Sequence, residues 1–121
     1  MKKIIIGLGI IMWLIACEDI FEGDFSDNPV RLLTPVDSTV TSDTTIRLSW
    51  EQVETATEYQ LQIAQPRFDS LVRMVKDTIT GSDGYQLSAL KKGARYQWRV
   101  RAIGSNFVTP YSNARMFIIK E

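Results

Sequence analysis

From residue 30 onward, short stretches of alternating apolar and polar residues are separated by turn sequences. The clearest stretches are 45–50 (TIRLSW), 59–63 (YQLQI) and 96–102 (YQWRVRA). Alternation with a period of two places apolar side chains on one face of a β-strand and polar side chains on the other. These stretches therefore predict strands with one buried face.

Four weaker stretches complete the predicted set of strands: 30–35, 69–76, 85–90 and 115–119. Turn signals such as Asp83-Gly84 and Lys92-Gly93 lie between strands. No part of this region has the periodicity of a long amphipathic helix. The pattern predicts an all-β fold, a seven-stranded antiparallel β-sandwich. Because residues 114–119 do not alternate cleanly, we expect a β-bulge in the last strand.

The apolar faces of these strands define the expected core. Its members are Leu33, Ile46, Leu48, Trp50, Tyr59, Leu61, Ile63, Leu87, Leu90, Tyr96, Trp98, Val100 and Phe117. The sequence contains one cysteine, so no intramolecular disulfide can form. Stability must therefore come from burial, which contributes about 1.5–3 kcal/mol for each large apolar side chain.

The first sixteen residues have a different pattern. Lys2 and Lys3 precede an apolar run over residues 4–15, and the first acid is Glu18. A cationic start followed by a short apolar run is typical of a secretory signal peptide. A helix of that length spans roughly 20 Å, less than the ~30 Å hydrocarbon core of a membrane. We therefore predict that residues 1–16 are a signal peptide.

The sequence Leu14-Ile15-Ala16-Cys17 resembles the lipobox of bacterial lipoproteins. The resemblance implies that Cys17 carries a diacylglyceryl group on its sulfur, and that the chain is cut before it and acylated at the new amine. One acyl chain binds a membrane marginally, whereas two or more hold stably. We expect this covalent lipid, and no other cofactor, to anchor the protein in the bacterial outer membrane. The alternative is a free or core cysteine after an ordinary signal-peptidase cut.

Residues 17–29 are predicted to form an acidic tether. This segment contains five acids, no base and no sustained periodicity. The acids Glu18, Asp19, Glu22 and Asp24 resemble the export signals of surface lipoproteins in some Gram-negative bacteria. The alternative is a solvated, disordered tether that is acidic without being an export signal, so periplasmic and cell-surface locations both stay open.

Residues 29–119 resemble a fibronectin type III domain, an immunoglobulin-like β-sandwich. The matching positions are Trp50 in the second strand, Ala56-Thr57-Glu58-Tyr59 at the entry to the third, and the tyrosine corner L-x-x-G-x-x-Y from Leu90 to Tyr96. The resemblance implies that Trp50, Tyr59, Tyr96 and Trp98 are structural core residues. It also implies that the Tyr96 hydroxyl bonds a backbone group just upstream. We assign residues 30–121 to this domain.

Composition narrows the range of functions. Lys plus Arg and Asp plus Glu number 14 each, and this balance argues against a nucleic-acid-binding protein. The chain contains no histidine, which removes imidazole acid–base chemistry and most zinc sites. The acids of the domain are scattered over loops and fit neither a glycosidase pair nor a calcium loop. We therefore expect no catalytic residues and no metal.

Two surfaces are candidates for binding. The outward face of the sheet would display Gln60, Gln62, Arg95, Gln97, Arg99 and Arg101. Such planar, cationic groups could bind an anionic glycan or an acidic protein patch, or they could simply keep exposed strands soluble. The second surface is the loop 104–111, where Phe107 is a candidate contact residue. We expect Tyr111 in the same loop to pack against the end of the sandwich.

These features predict a lipid-anchored, non-catalytic binding or adaptor module of the cell envelope. Its expected partners are the membrane, through the anchor, and either a protein or a surface polysaccharide. The alternative is a structural subunit or spacer of an outer-membrane complex, without a ligand of its own.

Overall fold

The computed structural model describes residues 28–121, which form two β-sheets packed face to face. The strands are β1 (Leu32–Thr34), β2 (Thr39–Thr41), β3 (Ile46–Trp50), β4 (Ala56–Arg67), β5 (Ser70–Thr80), β6 (Gly84–Leu87), β7 (Arg95–Gly104) and β8 (Arg115–Ile119). One sheet has the order β1-β3-β6 and the other the order β2-β8-β7-β4-β5. The predicted all-β sandwich is confirmed.

The predictions for the signal peptide, Cys17 and most of the tether fall on residues 1–27 and lie outside the described residues. Within residues 28–121, no helix is long and apolar enough to cross a membrane.

The predicted first strand contains β1, and an additional short strand, β2, follows it in the other sheet, so the sandwich has eight strands instead of seven. β1 pairs antiparallel with β3, whereas β2 pairs parallel with β8. The Arg115 guanidinium donates hydrogen bonds of 2.9–3.0 Å to the carbonyl oxygens of Leu32, Leu33 and Pro35. It thereby holds the segment that leads from one sheet to the other. β2 was not predicted because three residues are too few to show a period.

The predicted bulge in β8 is wrong. The register of β8 with β7 runs without a shift from Arg95 opposite Ile118 to Trp98 opposite Arg115. Met116 and Ile118, on the face away from the core, are both half-buried. The continuous apolar run therefore reflects a partly covered outer face of a regular strand.

The core lies between the two sheets and contains nearly all of the residues predicted for it. Leu33 is the exception, because 42% of it is exposed while its neighbour Leu32 is buried. With two consecutive leucines in a short strand, the sequence does not show which one faces the core. The pairing of Leu32 with Trp50 turns Leu32 inward. Ile46 is partly buried against the core. Besides Leu32, the buried apolar residues that sequence analysis missed are Val30, Ala64, Ala102 and Ile119.

Aromatic rings fill the centre of the core. The Trp50 ring lies 5.7 Å from the Tyr59 ring in an edge-to-face arrangement and 6.4 Å from the Trp98 ring. Among the described residues, neither indole N–H of Trp50 and Trp98 has a hydrogen-bond acceptor. The two indole rings therefore contribute to the core through apolar and aromatic contact and not through hydrogen bonds to the described residues.

The two buried tyrosines differ from the tryptophans because their hydroxyls have partners. The Tyr96 hydroxyl oxygen accepts a 2.9 Å hydrogen bond from the backbone N–H of Lys91, which closes the tyrosine corner. The Tyr59 hydroxyl oxygen accepts a bond of the same length from the N–H of Val53. Each ring thus joins the core to a loop that enters the sheet.

Candidate functional site

Strands β4 and β7 position five polar side chains on the outer face of the larger sheet. Their register places Gln60 opposite Arg101, Gln62 opposite Arg99, and Ala64 opposite Gln97. Side chains alternate along each strand, so these residues face outward while their neighbours fill the core. The predicted residues Gln60, Gln62, Gln97, Arg99 and Arg101 therefore share one surface.

A chain of hydrogen bonds crosses this surface from β7 to β5. Arg101 donates to the Oε1 atom of Gln60 from Nε at 2.9 Å and from Nη2 at 2.6 Å, and the Arg99 Nε donates to the Oε1 atom of Gln62 at 2.9 Å. The Nε2 atoms of Gln60 and Gln62 donate to the two carboxylate oxygens of Asp77, at 2.8 and 3.1 Å. Asp77 thus orients both amides so that their oxygens face the arginines.

Two aromatic rings stack on the arginines. The guanidinium carbon of Arg99 lies 4.0 Å from the centroid of the Phe68 ring and 4.5 Å from that of the Tyr111 ring. The guanidinium carbon of Arg101 lies 4.7 Å from the Tyr111 centroid. Such cation–π contacts contribute about 0.5–1 kcal/mol each at exposed sites. We call the surface formed by Gln60, Gln62, Phe68, Asp77, Gln97, Arg99, Arg101 and Tyr111 the arginine face.

The position of Tyr111 corrects the expectation that it packs against the end of the sandwich. β8 pairs with β7 only up to Trp98, and the segment before β8 follows the remainder of β7. Within that segment, the Oγ1 atom of Thr109 accepts from the N–H of Ala102, and the Oγ atom of Ser112 accepts from the N–H of Val100. These bonds hold Tyr111 beside the arginines.

Sequence analysis did not assign Phe68 to any surface. Phe68 lies in the turn between β4 and β5, and its backbone N–H donates a 2.9 Å hydrogen bond to the Oε1 atom of Gln97. This bond bends the hairpin tip over the outer face and brings the ring onto Arg99. No local pattern in the sequence marks such a contact, because it depends on the bend of the hairpin.

Phe107 is not part of the arginine face. Its ring packs so closely on Gly104 that the Cβ atom of any other residue would overlap the ring. Its carbonyl oxygen accepts a 2.8 Å hydrogen bond from the N–H of Gly104. The half-buried Phe107 therefore closes the tight turn after β7.

The rest of the described surface offers little catalytic chemistry. Within residues 28–121, no group of three His, Cys, Asp or Glu side chains could hold a metal ion. Two clefts, of about 320 and 390 Å³, lie away from the arginine face. The first contains a single carboxylate, Asp37, and the second has Arg73 and Lys76 on its rim beside Tyr85. Neither cleft brings together the paired carboxylates of a hydrolase.

In a comparison with known protein families, the family model of the fibronectin type III domain matches residues 29–117. The chain belongs to the fibronectin type III family. Domains of this family are common binding and structural modules and are typically non-catalytic. The chain matches no curated protein sequence.

Solved structures of low sequence identity share the fold. A fibronectin type III domain of human collagen alpha-1(XX) has a TM-score of 0.57 and 16% identity, and the match covers 79% of this chain and 90% of that one. An Fn3-like protein from Clostridium thermocellum has a TM-score of 0.56 and 18% identity, with coverage of 76% and 92%. The twitchin kinase region of C. elegans has a TM-score of 0.57 and 15% identity. That match covers 78% of this chain but only 17% of the chain of the twitchin kinase region.

Proposed function

We propose that this protein is a lipid-anchored, non-catalytic binding or adaptor module of the cell envelope. The lipobox-like sequence Leu14-Ile15-Ala16-Cys17 supports an outer-membrane anchor on Cys17. Two or more acyl chains would hold the protein stably at the membrane surface, with residues 18–29 between the lipid and the domain. The anchor supplies location, and the domain supplies recognition.

The arginine face is the observation that carries the recognition role. Arg99 and Arg101 are held in place by glutamine oxygens and aromatic rings before any ligand arrives. Binding to side chains that are already ordered loses less conformational entropy than binding to mobile ones. Guanidinium groups match carboxylate and phosphate geometry. The proposed ligand is therefore an anionic group on a partner protein or a surface polysaccharide.

A structural subunit or spacer is the second candidate function. It is favoured by the completeness of the same network, since both Nε atoms of the arginines and both oxygens of Asp77 have partners inside the domain. A face satisfied in this way is stable without a ligand.

The anchor is tested by metabolic labelling with a radioactive fatty acid, followed by fractionation of the envelope. Label should enter the wild-type protein and be absent from Cys17→Ala, which should leave the membrane fraction. If the wild-type protein takes up no fatty-acid label and still stays in the membrane fraction, lipid anchoring is contradicted.

The binding role is tested with the full lipidated protein in detergent, by pull-down from envelope extracts and on a glycan array. The double variant Arg99→Ala/Arg101→Ala should lose the ligand, whereas Arg47→Ala should keep it. Arg47 is an exposed arginine on β3 in the other sheet, so it matches the charge change of one substitution. A stoichiometric complex that survives the double variant would support the spacer. A wild-type protein that binds nothing would contradict the adaptor role.

A further inference from the structure

We infer that the arginine face binds an acidic segment of a partner protein in extended conformation, with carboxylates at alternate positions. The inference rests on the proposed function, because it names the ligand class of the same surface. Four properties of the surface lead to it: spacing, charge gradient, guanidinium chemistry and the occupation of the aromatic rings.

The spacing of the two arginines matches that of an extended peptide. Arg99 and Arg101 are two residues apart on β7, where same-face positions repeat at about 6.6 Å. Any extended polypeptide has the same repeat between residues i and i+2. Acids at alternate positions would therefore stand opposite the two guanidiniums if the segment ran along β7. Arg95 lies at the beginning of the same strand and extends the row of cations.

A charge gradient across the sheet sets where the segment lies. The positive groups are on β7, and Asp77 is on β5, with β4 between them. Strands are spaced about 4.8 Å apart, so the opposite charges stand on strands about 10 Å apart. Carboxylates would be attracted over β7 and repelled over β5. An acidic strand therefore fits along β7, and a mixed or basic strand does not.

The guanidinium of Arg99 is prepared for a carboxylate. Its Nε donates to Gln62, and the rings of Phe68 and Tyr111 contact the group. Among the described residues, neither Nη atom of Arg99 has a hydrogen-bond partner. Two N–H groups on that edge form the planar fork that binds a carboxylate through both oxygens. Arg101 donates hydrogen bonds from Nε and Nη2 to Gln60, and its Nη1 atom has no acceptor among the described residues.

The aromatic rings favour a peptide over a polysaccharide. A sugar ring gains apolar contact by stacking on a free aromatic face. Phe68 and Tyr111 already turn a face toward the guanidiniums, which removes that face from contact with a ligand. The surface therefore selects a ligand by negative charge and by the distance between successive charges. An extended acidic peptide has both properties.

The test is fluorescence anisotropy with the full lipidated protein in detergent and two labelled peptides of equal composition. One peptide alternates Glu and Thr, and the other carries the same residues as a Glu block followed by a Thr block. The alternating peptide should bind about 10-fold tighter. Arg99→Gln should weaken its binding about 10- to 100-fold, as expected for the loss of charge-assisted hydrogen bonds. Arg47→Gln, which removes the same charge from the other sheet, should stay within about twofold of wild type.

Arg99→Lys separates the fork from the charge, because lysine keeps the positive charge and cannot bind a carboxylate through two parallel N–H groups. Its affinity for the alternating peptide should fall between those of wild type and Arg99→Gln. Urea unfolding of each variant checks that the domain is folded.

Equal affinities for the two peptides, or a wild-type affinity in Arg99→Lys, would overturn the inference. Binding of an anionic polysaccharide alone, lost in Arg99→Gln, would overturn the peptide ligand and leave the proposed function intact. Failure of the wild-type protein to bind either class would overturn both.

Discussion

The two faces of the five-stranded sheet are built from the same strands and are held together by different forces. Along β7, the inward residues are Tyr96, Trp98 and Val100, and the outward residues are Gln97, Arg99 and Arg101. The inward side chains are at most 1% exposed, whereas the outward ones are half-buried. Burial of apolar area stabilises the inner face, and side-chain hydrogen bonds and cation–π contacts order the outer one.

The comparison shows how one backbone supports two tasks. Because adjacent residues on a strand face opposite ways, a change at one position affects stability and a change at the next affects the binding surface. Substitutions on neighbouring residues can therefore test the two faces separately.

The largest effect is expected from Trp98→Ala on the inner face. Removal of this fully buried ring should lower the free energy of unfolding by about 3–5 kcal/mol, measured by urea denaturation followed by circular dichroism. Trp98→Phe is the control, because it keeps an aromatic contact and removes an indole N–H without an acceptor among the described residues. The free energy of unfolding of Trp98→Phe should fall by less than about 1.5 kcal/mol. Equal losses in the two variants would contradict the prediction that burial of an aromatic ring stabilises this position.

A smaller loss is expected from Tyr96→Phe, which keeps the ring and removes the acceptor of the Lys91 N–H. An unpaired, partly buried backbone donor should cost about 1–3 kcal/mol in the same urea experiment. Tyr85→Phe is the matched control, because Tyr85 is only half-buried at the sheet edge. Its effect should stay within about 0.5 kcal/mol. A Tyr96→Phe effect as small as this would contradict a stabilising tyrosine corner.

On the outer face, Gln62→Leu should change the free energy of unfolding by less than about 1 kcal/mol, because polar contacts that solvent can reach contribute little. The substitution removes the link between Arg99 and Asp77. The Nε–H signal of Arg99 in an NMR spectrum should shift and exchange faster with solvent, while that of Arg47 should stay unchanged. A loss as large as that of Trp98→Ala would remove the distinction between the two faces.

The smallest effect is expected at the solvated hairpin tip. The Arg67 Nε donates a 3.2 Å hydrogen bond to Asp69, and this bond, with the positive charge, lowers the pKa of the Asp69 carboxyl. A lowered folded-state pKa gives a contribution to stability that is present above the unfolded pKa and lost as the pH falls through the folded pKa. An NMR titration should place the Asp69 midpoint below its ordinary value, and Arg67→Gln should raise it. An unchanged midpoint in Arg67→Gln would refute the contact.

The sequence by itself determined most of the side chains that fill the inner face, and it determined which polar side chains lie on the outer face. The alternation in 45–50, 59–63 and 96–102 is a local property that survives in the fold, because strand geometry sends successive side chains to opposite faces. For this reason the large buried side chains of β3, β4 and β7 and the outward row of Gln and Arg could be predicted, whereas the small Ala64 and Ala102 were missed. The tyrosine corner was also predictable, because its partners are five residues apart.

Only the tertiary structure decided which distant residues meet. The choice of Leu32 over Leu33 for the core depends on pairing with β3, and the short β2 exists because β8 offers it an edge. The aromatic rings of Phe68 and Tyr111 reach Arg99 through the bend of a hairpin and the path of a loop, and Asp77 reaches both glutamines through the register of β5. These contacts join residues far apart in the chain, and a local period carries no information about them.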